Sequence, residues 1–340
     1  SGGEAARQAV ENVQQIERSS ARITDIIRSI QTDGRAMIQA PTGIGKTTVA
    51  VDLAQHFAGQ IIGADSMQVY KYMDIGTAKP SAEELARAPH RLIDICDPAE
   101  TYSAARFRED ALREMDRITA AGRIPLLVGG TMLYFRALQY GLSALPPAQP
   151  EVRARLDSEL RRDGLAALHR RLSEVDPVAA QRIHRNDPQR TLRALEVWEA
   201  SGRRLSELQA EAGQPMPYRA IKLVRAPVSR AELHQRINRR FLDMLEQGLV
   251  GEVESLVAPG VLRPQMPSMR SVGYRQVWAW LRGECSREEM VERGQAATRQ
   301  LAKRQMTWLR AEEGLMALET GQDPEAAAVA EIRSKVPRLP

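Results

Sequence analysis

Ala40-Pro41-Thr42-Gly43-Ile44-Gly45-Lys46-Thr47 stands between an apolar run, Ala36-Met37-Ile38, and the helical pattern Thr48 to Ala54. Strand, glycine loop and helix in that order form a phosphate grip. Backbone N–H groups and the helix N-terminus face an anion, Lys46 reaches the outer phosphate, and the Thr47 hydroxyl can hold a magnesium ion. Pro41, Thr42, Gly43, Ile44 and Gly45 make the turn, and Ala40 occupies the position where the usual pattern has its first glycine. Most such loops hold a nucleoside triphosphate, and those enzymes add an acid at the end of a short apolar strand. Here Leu126-Leu127-Val128 runs into Gly129-Gly130-Thr131 instead, with Leu92-Ile93-Asp94 as the one rival, which argues against simple ATP hydrolysis.

Asp65 follows the apolar stretch Gln60-Ile61-Ile62-Gly63-Ala64. Strand, loop, helix, strand implies a parallel sheet, so Asp65 should share the crevice at the strands' carboxyl ends with the phosphate loop. A carboxylate there can take a proton from an acceptor facing the phosphates; its plainer role is to cap its own turn. Thr131, on the second glycine turn, can donate its hydroxyl to a pyrophosphate or departing bridge oxygen.

Basic residues concentrate late. Between Gly294 and Arg310 the chain carries Arg299, Lys303, Arg304 and Arg310 with no acid and with Trp308 among them, while Arg270 and Arg275 flank Val272-Gly273-Tyr274. Cations beside aromatics suit an RNA backbone and an unstacked base, although a solvated helix face has the same composition. Arg182, Arg185, Arg190 and Arg193 form a second basic group.

Positioning these groups takes a chain of 340 residues, 43% hydrophobic, with net charge +5, enough for about two domains. The charge permits a nucleic-acid partner without demonstrating one. Cys96 and Cys285 are far apart and the five histidines show no ligand spacing, which argues against a disulfide framework or zinc site and fits a reducing cytoplasm. No apolar run long enough to span a membrane exists. Periodicity predicts an amphipathic helix over Glu4 to Gln31, within a first segment 1–33. It then predicts an α/β core with a P-loop NTPase-like parallel sheet flanked by helices over 34–145 and 216–315, an all-helical insertion over 146–215, and a peripheral acidic tail over 316–340. His90 to Ile95 and Ala220 to Val224 read as further strands.

Seven strings together resemble the tRNA dimethylallyltransferase, or tRNA isopentenyltransferase, family of bacterial type: Pro41 to Thr47, Ala64 to Gln68, Asp74 to Pro80, Val128 to Tyr134, Asn186 to Arg190, Val272 to Gln276 and Thr298 to Gln305. They cover about Met37 to Arg310 in the family's order, and the first helix lies outside them. The resemblance implies transfer of a dimethylallyl group from dimethylallyl diphosphate to the exocyclic amine of the adenosine just 3′ of the anticodon, with Mg2+ and a flipped target base. It also implies that the loop grips pyrophosphate rather than ATP. By that similarity Asp65 is the base, Thr131 and Arg240 assist the diphosphate, and Lys46 and Thr47 hold its oxygens and the metal. The tRNA-contacting positions it implies are Asp65, Ser66, Met67, Gln68, Arg153, Gln189, Arg190, Thr191, Leu192, Arg193, Arg270, Ser271, Val272, Gly273, Tyr274, Arg275, Lys303, Arg304, Trp308 and Arg310. The partner expected is the tRNA anticodon stem-loop, bound by a cytoplasmic monomer with no membrane attachment. Two rival functions stay open: prenylation of free adenine nucleotides, and an RNA-binding P-loop ATPase or kinase.

Overall fold

The computed structural model describes residues 36–39, 46–56, 58–211, 213–218, 221–225 and 229–318. The first helix pattern, the glycine loop Pro41 to Gly45 and the tail beyond 318 lie outside them, as do the side chains of Lys46 and Thr47. Two compact units divide the chain: Ser1–Ala137 with Pro217–Pro340, and Leu138–Met216.

The first unit is built on β1 (Ala36–Gln39), α1 (Lys46–His56), β2 (Gly59–Ala64), α2 (Ala82–Arg87), β3 (His90–Arg91), α3 (Ala104–Ala120) and β4 (Ile124–Gly129). α4 (Met132–Tyr140) leads out of it, and β5 (Ile221–Arg225), α10 (Arg230–Glu246), α11 (Leu249–Val257), α12 (Tyr274–Leu281), α13 (Arg287–Arg310) and β6 (Leu315–Leu318) complete it. The described strands form one sheet in the order β3-β2-β4-β1-β5-β6, and every pairing is parallel. Parallel strands buried on both faces read as continuous apolar runs, and Met37, Ile61, Ile62, Leu126, Leu127 and Leu223 are wholly buried. The flanking helices bury stripes at helical spacing, such as Phe107, Ala111, Met115 and Ile118 on α3 and Leu233, Ile237 and Phe241 on α10.

Register decides where chemistry can occur. Gln39 pairs with Gly129 and with Val224, and Ala64 also pairs with Gly129, so the ends of β1, β2, β4 and β5 lie level. Everything that follows those residues therefore leaves from one carboxyl edge, where ligands bind in open α/β sheets.

Two expectations are corrected. The run His90 to Ile95 is a strand for two residues only, because Leu92 (φ 60°) and Asp94 (φ 56°) leave extended geometry. The N–H groups of Asp94 and Ile95 turn instead to the carbonyls of Gln68 and Val69. Leu315–Leu318, assigned to the tail from residue 316 on, is the sixth strand: Gly314 (φ 71°) turns the chain after α13, and the apolar four-residue run then pairs along β5. The acidic, alanine-rich average of the final stretch hid it.

The second unit holds α5 (Pro150–Asp163), α6 (Leu165–Val175), α7 (Pro177–Arg182), α8 (Pro188–Ser201) and α9 (Leu205–Ala210) around a core that includes Leu156, Leu172, Leu195 and Leu205. Proline at the first turn of α5, α7 and α8 suits helix starts that have no N–H to spare. Among the described residues no helix is long and apolar enough to cross a membrane.

Candidate active site

Asp65 is the first residue past β2 and Thr131 lies just past β4, so the level strand ends bring them together. Thr131 N–H donates to the Ala64 carbonyl (3.2 Å), its Oγ1 accepts the Ser66 N–H (2.9 Å), and its hydroxyl faces Ser66 Oγ at 3.2 Å. The two turns are thus laced to each other. Gly129 makes this approach possible, since a Cβ there would lie 2.0 Å from the Ala64 carbonyl oxygen. The Asp65 Oδ1 accepts the Met67 N–H at 3.0 Å, an Asx-type turn that fixes the carboxylate's direction while its other oxygen takes no part in that bond.

Arg240, on α10, is half-buried. Burial pulls its pKa below the usual guanidinium range and Arg236 adds to that, while the Asp65 carboxylate pushes the other way. A guanidinium stays charged through such shifts, so Arg240 is a desolvated cation within the field of Asp65. Burial also raises the Tyr134 phenol, with the charges of Tyr70 and Asp65 adding to it. Tyr134 stacks on Phe107 at 4.1 Å and meets Tyr102 edge-on at 6.4 Å, an apolar wall next to the carboxylate. Asp65 and Thr131 thus put a carboxylate and a hydroxyl at the sheet edge, with the Arg240 cation in the field of the carboxylate.

Behind them the Asp74 to Lys79 loop works as a brace. Gln68 Nε2 donates to the carbonyls of Thr77 (3.2 Å) and Ala78 (2.9 Å). Lys79 donates to the Tyr70 carbonyl and to Asp74, each at 2.6 Å, and to Asp94. The Glu252 carboxylate of α11 collects the N–H groups of Asp74 (2.9 Å), Ile75 (2.7 Å) and Gly76 (3.2 Å), together with the Tyr274 hydroxyl. A Cβ on Gly76 would sit 2.4 Å from the Tyr274 ring, so only glycine lets the loop close on it. Nothing in the sequence singles out Glu252, since α11 carries a second acid, Glu254, two residues on. From the far side, Gln305 of α13 donates to the Gly130 carbonyl at 2.7 Å.

The positions implied as RNA contacts divide by exposure. Arg270, Arg275, Lys303, Arg304, Trp308 and Arg310 are exposed, and Ser66, Met67, Gln68, Ser271 and Val272 are half-buried. Tyr274 has its side chain wholly buried and its hydroxyl given to Glu252. Gly273, also buried, starts α12 with φ 94°, and its N–H is capped by Gln276 at 2.9 Å. In the second unit Gln189 and Arg190 are exposed, but Thr191 and Leu192 are buried and belong to the helix core. Arg153 and Arg193 both bind the buried Glu196 at 3.0 Å, so each offers RNA only part of its charge. The Lys46 and Thr47 side chains, with the glycine loop, lie outside the described residues. Among the described residues no group of acids, histidines or cysteines could hold a metal by itself.

At the carboxyl edge of this parallel sheet, where ligands bind in open α/β folds, stand an oriented carboxylate and a hydroxyl-bearing turn, with a half-buried arginine in the carboxylate's field. An IPP transferase family model matches residues 68–312, and an isopentenyl transferase model matches residues 35–97. The solved tRNA isopentenylpyrophosphate transferase of Bacillus halodurans is similar at 34% identity over 89% of this chain and 98% of its own, with a TM-score of 0.63. That of Staphylococcus epidermidis is 36% identical over 84% and 92%, with a TM-score of 0.59. A eukaryotic dimethylallyltransferase captured acting on tRNA reaches a TM-score of 0.74 at 27% identity, over 88% of this chain and 77% of its own. The chain belongs to the IPP transferase family.

Proposed function

We propose that the chain transfers a dimethylallyl group from dimethylallyl diphosphate to the exocyclic amine of the adenosine 3′-adjacent to the tRNA anticodon. The amine nitrogen forms a bond to C1 of the donor, the C1–oxygen bond breaks, diphosphate leaves with the bonding pair, and Asp65 takes the amine's proton. The carrying observation is the level register of Gln39, Ala64 and Gly129, which puts Asp65, Thr131 and the chain running into the phosphate loop on one edge. Allylic cation character at C1 is tolerable only when the departing charge is well held; the residues proposed for this are Arg240, Thr131 and the loop through Lys46 and Thr47. An Mg2+ ion would be held mainly by diphosphate oxygens and water, with the Thr47 hydroxyl as its protein ligand. Such an ion would neutralise charge on the leaving group. The free thiols Cys96 and Cys285 fit a reducing compartment, and the reaction is assigned to a cytoplasmic monomer.

Incubation with dimethylallyl diphosphate and unmodified tRNA, followed by mass analysis of the nucleosides, tests this directly. One adenosine per substrate tRNA should gain a dimethylallyl group. Labelling of free AMP in preference to tRNA, or ATP turnover without transfer, would overturn the proposal.

A further inference from the structure

We infer that Arg136 and Trp308 form a stacking platform for an unpaired RNA base next to the target adenosine, and that Arg136 is a tRNA-binding residue; this rests on the function proposed above. The Arg136 guanidinium lies over the Trp308 ring, 5.8 Å from its centroid. Arg136 is exposed, Trp308 keeps 42% of its surface in solvent, and Leu133, one turn before Arg136, keeps 50%. An exposed indole and an exposed leucine are poorly served by water alone, and the cation over the indole adds attraction for phosphate. Together these are the parts of a single-strand binding surface. Arg304, exposed one helical turn before Trp308, extends the positive charge along α13.

The platform is rigid and near the chemistry. Met132 of α4 and Leu309 of α13 share one buried cluster with Val224, which fixes the two helices that carry the pair. Gln305 ties α13 to the Gly130 carbonyl, and Trp308 lies three residues further, about 4.5 Å along the helix axis. Arg136 lies five residues beyond Thr131. A nucleotide adjoining the base in the crevice is within reach of such a platform, whereas a distant stem is not.

The test uses an anticodon stem-loop with 2-aminopurine at each nucleotide flanking the target adenosine. Wild-type protein should quench one of the two, and Trp308→Ala should lose the quench and bind the stem-loop about tenfold or more weakly. Trp308→Leu, which keeps apolar bulk against its neighbours, should lose the quench as well. Arg136→Ala should weaken binding about threefold to tenfold, with partial rescue by Arg136→Lys and no change in KM for dimethylallyl diphosphate. No quench by wild type, or a quench and stem-loop affinity indifferent to all four variants, overturns the platform. Quenching that depends on Trp308 without any prenyl transfer would support the platform and sink the proposed function instead, so the two failures are distinguishable.

Discussion

The Thr131 hydroxyl oxygen accepts the backbone N–H of Ser66 at 2.9 Å, joining the turn after β4 to the turn that carries the proposed base. One atom thereby joins two loops, and it belongs to the residue proposed to assist the leaving diphosphate. Thr131→Val removes the oxygen at constant volume. It should lower kcat about 10²-fold, the order expected for one lost donor to developing charge, and Thr131→Ser should recover most of it. Steady-state kinetics on both variants check this; equal activity of Thr131→Val and wild type would assign the hydroxyl to structure alone.

Asp65→Ala should abolish transfer while tRNA affinity stays nearly intact, because a single short carboxylate contributes little to a large basic interface. Filter binding and single-turnover transfer separate the two quantities. An equal fall in both would contradict the general-base role.

Glu252→Gln keeps the shape of the side chain but turns an amide toward donors that need an acceptor. A fully buried donor left unmatched costs about 1–3 kcal/mol; here the Asp74 N–H is exposed and those of Ile75 and Gly76 are half-buried, so urea unfolding should show a loss near the low end of that range. The Asp74 to Lys79 loop also carries the carbonyls that hold Gln68, so KM for tRNA should rise while KM for dimethylallyl diphosphate does not. Tyr274→Phe, which leaves the three N–H groups matched, should show a smaller version of both effects.

Glu196 is 1% exposed between Arg153 and Arg193, with the Gln149 N–H 3.3 Å away. Removing one partner of a buried ionic group leaves the others uncompensated, at about 3–5 kcal/mol when they are fully buried. Both arginines are about a third exposed here, so Glu196→Ala should cost less, on the order of 2 kcal/mol after solvent screening. Thermal unfolding of the variant measures it, and an unchanged midpoint would show that the arginines hold their places without the acid.

Much of this site could be read from sequence because parallel strands announce themselves as apolar runs and their first following residues share an edge. Asp65 and Thr131 were legible for that reason, and so was the order of helix and strand around them. What escaped depends on partners distant in the chain. Glu252 acquires its role only when α11 meets a loop about 176 residues earlier. Tyr274 and Leu192 are positions the family resemblance implies as contacts, yet a resemblance cannot say whether a residue touches the ligand or supports one that does. Leu92 adopts positive φ, which its local propensity opposes, whereas Asp94 is of a type that tolerates it.

His90 gives the chain a pH dependence separate from catalysis. Burial lowers its pKa from the ordinary 6.5, outweighing the Ala88 carbonyl and Glu84, which favour the charged form. Its Nδ1 lies 2.7 Å from that carbonyl, so the neutral ring is held as an N–H donor there. Below 6.5 the unfolded chain protonates this imidazole while the folded chain resists. The unfolded state then binds more protons, and stability rises with pH across that window. The contribution is fully present above pH 6.5 and is lost as pH falls toward the folded value. Melting temperature should therefore drop between pH 7.5 and 5.5 by more in wild type than in His90→Asn, whose amide can keep the bond to Ala88 without titrating. β3 is the edge strand of the sheet, away from Asp65 and Thr131 at the ends of the inner strands, so kcat measured at neutral pH should be the same for both proteins. Identical pH slopes for the two would show that His90 titrates alike in the folded and unfolded chains.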